Sequence, residues 1–204
     1  MGSFIEEEIV KVCKLLYEKN YNGAYGGNIS CREGDKIYIT PTRKHKGFIE
    51  VDDIVVTDLE GNVLKGKHKP SSEAGAHYKI YKYRNDIGAV IHAHPIFVIS
   101  LSVSHIPLNL KIVREAFAYL GNVKLIPYSV PESNEFSSSV AEALTDADAC
   151  IIENHGATVV GNDLMDAFSK LELLERTSMS FIFSKLLGAV EILSEAELKS
   201  FFKK

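Results

Sequence analysis

The sequence predicts an α/β fold: a single domain over residues 1–204, built as three α/β/α layers with a central, mainly antiparallel or mixed sheet. Three observations predict it. Short apolar runs, many β-branched, alternate with amphipathic helical patterns along the whole chain. Tight turn signals at Gly34-Asp35 and Glu60-Gly61-Asn62 join neighbouring short runs as hairpins, which are antiparallel by construction. No internal repeat or low-complexity linker divides the 204 residues, and a chain of that length can bury about 70% of its unfolded surface.

The elements follow in order. Ile5, Ile9, Val12, Cys13, Leu15 and Leu16 have the spacing of an amphipathic helix, with Ser3 as its N-cap and Asn20 near its end. Gly23–Cys31 and Lys36–Thr40, joined through Gly34-Asp35, read as a hairpin. A Lys- and Gly-containing loop from Pro41 to Gly47 leads to a strand at Asp53–Thr57, and the Glu60-Gly61-Asn62 turn gives it a short partner around Val63 and Leu64. Pro70–Lys82 becomes helical after Ser71 or Ser72 as the cap, with Glu73 in the first turn, where a carboxylate also complements the helix dipole. The apolar run before His92 and His94 is a strand stopped by Pro95. Then come a helix at Ile96–Val103, a segment at Leu108–Val113, a short helix at Arg114–Leu120 and a strand at Val123–Pro127. Ser133–Leu144 suits a capped helix, and Ala149–Glu153 and Thr158–Val160 suit strands. The run Leu164–Leu187 is a long helix, apolar nearly all round near its end, expected to pack on the body on one side and on a neighbouring subunit on another. Ser194 and Glu197 are spaced as the capping box of a last short helix.

Composition narrows the function. With 46% hydrophobic and 25% charged residues the chain is neither disordered nor fibrous, and a net charge of -4 argues against general nucleic-acid binding while leaving room for a local basic pocket. Cys13, Cys31 and Cys150 are far apart and odd in number, which fits a reducing, intracellular setting; Cys31 and Cys150 read as small core residues. The acidic start Met1–Glu8 lacks the basic region of a secretory signal, and no apolar run approaches the ~20 residues needed to span a bilayer. A cytoplasmic protein with neither nucleic acid nor membrane as partner is expected.

The chemistry-bearing residues centre on Ala89-Val-Ile-His-Ala-His-Pro95. On an extended backbone residues i and i+2 share a face, so His92 and His94 project side by side while Ala93 points away. The pair is either a two-pronged metal grip or a polar patch closing a sheet edge. His155, at the end of the apolar run beginning at Cys150, supplies a third imidazole, and three histidines with an open fourth position suit a catalytic zinc better than a structural one. Ser71 and Ser72 are either plain caps or, with the unpaired amides of a helix start, an anion site. Gly26-Gly27 and Asn28 read as a turn or an anion nest. His77, four residues after Glu73, is expected to be a hydrogen-bonding or packing residue rather than a ligand, and His45, His68 and His105 plain surface residues.

Gly26-Gly-Asn-Ile-Ser30, Ile39-Thr-Pro-Thr42, Asp53-Ile-Val-Val56, Pro70-Ser-Ser-Glu73, His92-Ala-His94, Pro127-Tyr128 and Glu153-Asn-His-Gly156, in that order across nearly the entire chain, resemble the class II aldolase and adducin family. The resemblance implies that His92, His94 and His155 hold zinc, or another divalent metal such as cobalt or manganese, because imidazoles accept several such ions. It implies that Glu73 is the acid/base carboxylate and that Asn28, Thr42, Ser71 and Ser72 hold a substrate phosphate. Arg43 stands where the fuculose-phosphate enzymes of the family tend to have glycine. It opens the basic loop Arg43-Lys44-His45-Lys46, which is either a direct grip on an anion or a solvated loop. A small-molecule sugar phosphate as partner and a homotetramer with sites near subunit interfaces are implied as well.

The implied activity is zinc-dependent cleavage of a small ketose 1-phosphate, fuculose-1-phosphate-like, to dihydroxyacetone phosphate and an aldehyde through a metal-stabilised enediolate. Neutral imidazoles leave the ion most of its charge for that task, and an adjacent carboxylate can move the proton. The alternatives are a 4-epimerase or dehydratase of the same family and a non-catalytic adducin-like assembly module; the last predicts degraded ligands, whereas this chain keeps three histidines and Glu73. The best-studied fuculose-phosphate enzyme uses one tyrosine after the Ile-Pro segment and one in the tail. Ile106–Val113 and the tail Phe201-Phe-Lys-Lys204 contain none, which makes Tyr119 and Tyr128 the candidate replacements.

Overall fold

A chain whose strands are apolar on both faces needs cover on both sides, and the computed structural model, which describes residues 4–199, supplies it. The order is α1 (Phe4–Glu18), β1 (Asn28–Glu33), β2 (Lys36–Ile39), β3 (Val55–Thr57), β4 (Val63–Lys65), α2 (Ala74–Tyr83), β5 (Ala89–Ala93), α3 (Ile96–Val103), α4 (Arg114–Leu120), β6 (Val123–Ile126), α5 (Asn134–Ala143), β7 (Ala149–Ile152), β8 (Gly156–Gly161), α6 (Leu164–Leu186) and α7 (Glu195–Lys199). The eight strands form one open sheet in the order β4-β3-β2-β1-β5-β8-β7-β6, antiparallel throughout except for the parallel pair β6 and β7.

Alternation along the strands splits the core in two. Ile29, Ala89, Ile91, Ala93, Ile151 and Val159 face α1, α3, α4 and α6, through residues such as Ile9, Leu16, Val98, Leu120 and Leu171. Ile37, Ile39, Val90, Cys150, Ile152 and Val160 face α2 and α5, through Ile80, Tyr81, Phe136 and Val140. The second face also carries Asn28, Ser30 and His92, all buried, so a polar wedge enters an otherwise apolar layer beneath α2.

The predicted elements are present, with local differences. The Ser3 cap and the Phe201–Lys204 tail lie outside the described residues. Strand β3 starts at Val55 because Val51–Asp53 makes a 3-10 turn, in which the Asp53 carboxylate accepts the Glu50 N–H at 3.0 Å. Helix α2 starts at Ala74 with Glu73 at its N-cap and neither serine capping it; Ser71 Oγ instead accepts the Glu73 N–H (3.3 Å) in the turn before. Cys31 is half-buried, unlike the core residue Cys150. His45 and His68 are not plain surface residues: His45 packs against the rings of Tyr17, Tyr25 and Phe48, and His68 lies 2.9 Å from Asp53. At the far end of α6, Met179, Phe183 and Leu186 are exposed. No helix among the described residues is long and apolar enough to cross a membrane.

Candidate active site

Antiparallel register builds the centre. His92 sits opposite Asn28 on β1 and Thr158 on β8. Its Nδ1 pairs with Thr158 Oγ1 (3.1 Å), which turns Nε2 outward, to 3.1 Å from His94 Nε2. His94 follows the strand by one residue and is pinned through its own N–H, which donates to the Tyr21 carbonyl (2.8 Å) and Asn22 Oδ1 (3.2 Å). The ring slots between glycines: a Cβ on Gly26 would stand 2.7 Å from His94 Nδ1, and one on Gly156 would stand 2.8 Å from His94 Cδ2. His155 enters from the tight β7–β8 turn, where Asn154 takes the left-handed conformation (φ 56°). On the far side, the buried Glu175 carboxylate accepts the Phe97 and Val98 N–H groups (3.0 Å each) and fixes the start of α3 behind Pro95.

The three imidazoles offer ligand atoms all within 4.8 Å of one another. Burial holds all three below the usual imidazole range, His94 at about 4 with further lowering from His155 and Lys46, so all are neutral at pH 7. Buried at His92, half-buried at His94 and His155, neutral and converging, with His155 Nδ1 lacking any hydrogen-bond partner, the triad can hold a metal ion.

Glu73 lies beside it, Oε2 at 3.5 Å from His92 Nε2 and Oε1 at 3.6 Å from His155 Nε2. Its pKa is raised, burial being the main cause and the Asn28 amide acting against it. Next to Glu73 and His94 opens a cavity of about 140 Å³ lined by Tyr25, Gly26, Gly27, Asn28, Thr42, Arg43, Lys46, Ser71 and Ser72. Its walls are two loops tied together, with Ser71 N–H donating to the Thr40 carbonyl (3.0 Å) and Thr42 N–H to the Lys69 carbonyl (3.1 Å).

All the residues expected at a phosphate thus meet at one cavity, but two behave differently from expectation. Asn28 does not simply face an anion: its Nδ2 donates to Glu73 Oε2 at 2.6 Å and its Oδ1 accepts from His77 Nε2 at 2.5 Å. Arg43 takes a left-handed backbone (φ 53°) and adds a cation to the cavity wall. The basic loop divides. Lys44 turns away to Asp53 (3.1 Å), whereas Lys46 is buried beside the cavity, its Nζ donating to the Lys44 carbonyl (3.1 Å) and its pKa lowered by that burial. Sequence reasoning gave Lys46 no separate role, and nothing in its loop spacing signals burial. Tyr119 and Tyr128, the candidate replacements for the missing tyrosines, are not among the residues lining this cavity; Tyr25 is on its wall, and Tyr119 borders a separate groove with Glu115 and Arg176.

The sequence profile of the family described as Class II Aldolase and Adducin N-terminal domain matches residues 7–181. The chain belongs to this family. Among curated class II aldolase relatives, the L-fuculose phosphate aldolase of Methanocaldococcus jannaschii is 40% identical over 170 residues, covering 83% of this chain and 91% of the relative. The 3-oxo-tetronate 4-phosphate decarboxylase of Haemophilus influenzae is 32% identical over 199 residues, covering 95% and 94%. Among solved structures, an L-fuculose 1-phosphate aldolase superposes with a TM-score of 0.90 at 30% identity, covering 100% of this chain and 98% of that one. The mixed α/β architecture is that of the class II aldolases, and the chain is an enzyme of the lyase class.

Proposed function

We propose that this class II aldolase, one domain over 1–204, cleaves a small ketose 1-phosphate of the fuculose-1-phosphate kind to dihydroxyacetone phosphate and an aldehyde. The observation that carries the reading is one juxtaposition: the Glu73 carboxylate stands 3.5–3.6 Å from two of three convergent imidazoles and opens directly on the anion-sized cavity. His92, His94 and His155 would hold zinc, which when bound supplies a fixed positive charge that polarises the substrate's oxygens. Asn28, Thr42, Arg43, Ser71 and Ser72, joined by Lys46, hold the phosphate, and this anchoring sets the carbon skeleton between cavity and triad. Glu73 moves a proton to and from the carbon that the breaking bond leaves electron-rich, and burial raises its pKa, which makes the protonated form easier to reach. The exposed apolar end of α6 supports packing against a further subunit in a homotetramer, and the free cysteines support a cytoplasmic setting.

A decarboxylation is the second reading, favoured by the two cations, Arg43 and Lys46, at the cavity, since a 3-oxo acid phosphate brings two anionic groups. The test is a coupled assay of the zinc-loaded protein against a panel of ketose 1-phosphates, reading dihydroxyacetone phosphate, with 3-oxo-tetronate 4-phosphate as a parallel arm reading carbon dioxide. Dihydroxyacetone phosphate is expected. Its absence with every ketose phosphate overturns the aldolase reading, and carbon dioxide release in the parallel arm then selects the decarboxylase.

A further inference from the structure

Beneath Glu73 runs a buried chain of polar groups, and beyond Asn28 the proposed reaction gives its members no role. Asn28 and Ser30 share a face of β1, and Glu73, His77 and Tyr81 form an i, i+4, i+8 stripe along one side of α2 and its cap. The links are Glu73 Oε2 to Asn28 Nδ2 (2.6 Å), Asn28 Oδ1 to His77 Nε2 (2.5 Å), His77 Nδ1 to Ser30 Oγ (2.6 Å) and Ser30 Oγ to Tyr81 Oη (2.9 Å). Asn28, Ser30, His77 and Tyr81 are each no more than 3% exposed.

The valences of these groups allow one direction when Glu73 is ionised. A carboxylate only accepts, so Asn28 must present its NH₂ to Glu73 and its carbonyl to His77. A carbonyl only accepts, so His77 Nε2 must carry the hydrogen. Burial pushes the His77 pKa down to about 3, so the ring is neutral and Nδ1 is bare. Ser30 must then donate its hydroxyl hydrogen to Nδ1, and Tyr81 must donate to Ser30. Each link then pairs one donor with one acceptor in a single consistent direction, which favours one geometry of the buried network.

We propose that His77 is a positioning residue for the reaction: held as the Nε2–H tautomer by Ser30, it locks the Asn28 amide and through it aims the Glu73 carboxylate at the triad. This rests on the reading that Glu73 moves the proton. A merely packing histidine would be replaceable by any side chain of similar volume. Here the required feature is a hydrogen donor at the Nε2 position, which the amide nitrogen of glutamine can supply and leucine cannot.

The experiment has two arms. In the first, ¹⁵N-histidine NMR of the wild-type protein, with the His77 signals identified by their loss in His77→Gln, reads the tautomer without any activity. A protonated Nε2 with a bare Nδ1 is expected, and a protonated Nδ1 overturns the proposal. In the second, His77→Leu is expected to lose at least tenfold in kcat with KM within threefold, while His77→Gln recovers most of kcat. Equal loss in both variants, or unchanged kcat in His77→Leu, overturns it. Should His77→Leu not fold, the tautomer and the kcat of His77→Gln decide. If the wild type has no aldolase activity, the functional reading has failed, and the first arm still tests the geometry.

Discussion

Replacing Gly26 by alanine tests whether the ring of His94 is held by the backbone that passes it. Gly26 lies outside the left-handed region, so the added methyl has no conformational penalty, and its only cost is contact. That contact is severe: 2.7 Å to His94 Nδ1 is about 0.7 Å short of the 3.4 Å at which ordinary contact begins. The ring cannot retreat, because the Gly156 backbone closes the slot behind it and the His94 N–H is tied to Tyr21 and Asn22. Metal–ligand distances tolerate only about 0.2 Å, so a ring displaced by several tenths of an ångström leaves the triad. Metal affinity is expected to fall about 10–100-fold, the usual effect of disturbing groups that orient a ligand, or about 1.4–2.8 kcal/mol. Overpacking should cost the metal-free fold about 1–3 kcal/mol as well. Competition with a chromophoric chelator reads the first quantity and urea unfolding of the metal-free protein the second. A folded Gly26→Ala protein that binds zinc within threefold of wild type would show that His94 is not confined as described.

Other outcomes follow from the same geometry. Glu73→Gln should retain zinc by metal analysis while losing about 10²–10⁴ in turnover, and an unchanged turnover number would remove Glu73 from the acid/base role. Lys46→Met should weaken binding of inorganic phosphate by tenfold or more, whereas Lys44→Ala, whose ammonium is turned to Asp53, should change it less than twofold; calorimetric titration of both reverses the assignment if the order is inverted. The metal-free protein should lose stability on acidification. His77 has a folded pKa of about 3 against about 6.5 unfolded, so between those values the unfolded chain binds the extra proton and stability falls as pH falls. For His77 alone the loss from pH 7 to pH 5.5 is about 1.2 kcal/mol, with the triad adding to it, and urea midpoints that do not move over that range would contradict neutral burial.

What was legible in the chain was local. The period-two rule placed His92 and His94 side by side, and the β7–β8 turn that delivers His155 sits where the apolar run ends. Helical spacing put His77 on the Glu73 face and expected a hydrogen-bonding residue, but it could not supply Asn28, 49 positions away, because that pairing depends on β1 lying next to β5. The burial of Lys46 was hidden for the same reason. Its loop is covered by α1, where a Cβ on Gly47 would stand 2.6 Å from the Tyr17 ring, and no property of the loop itself announces that cover. A serine cap does not form because Ser71 serves the preceding turn and Glu73, a poorer N-cap by propensity, occupies the cap position.

Arg43 shows a trade between robustness and selectivity. A non-glycine residue held at φ 53° costs about 1–2 kcal/mol of local strain that glycine would not bear. A glycine there would relax the loop but leave the mouth of the cavity less positive. Selection that acted on stability alone would favour the glycine, so an arginine at this position ties the persistence of a strained backbone to the value of its charge for whatever anion the cavity admits.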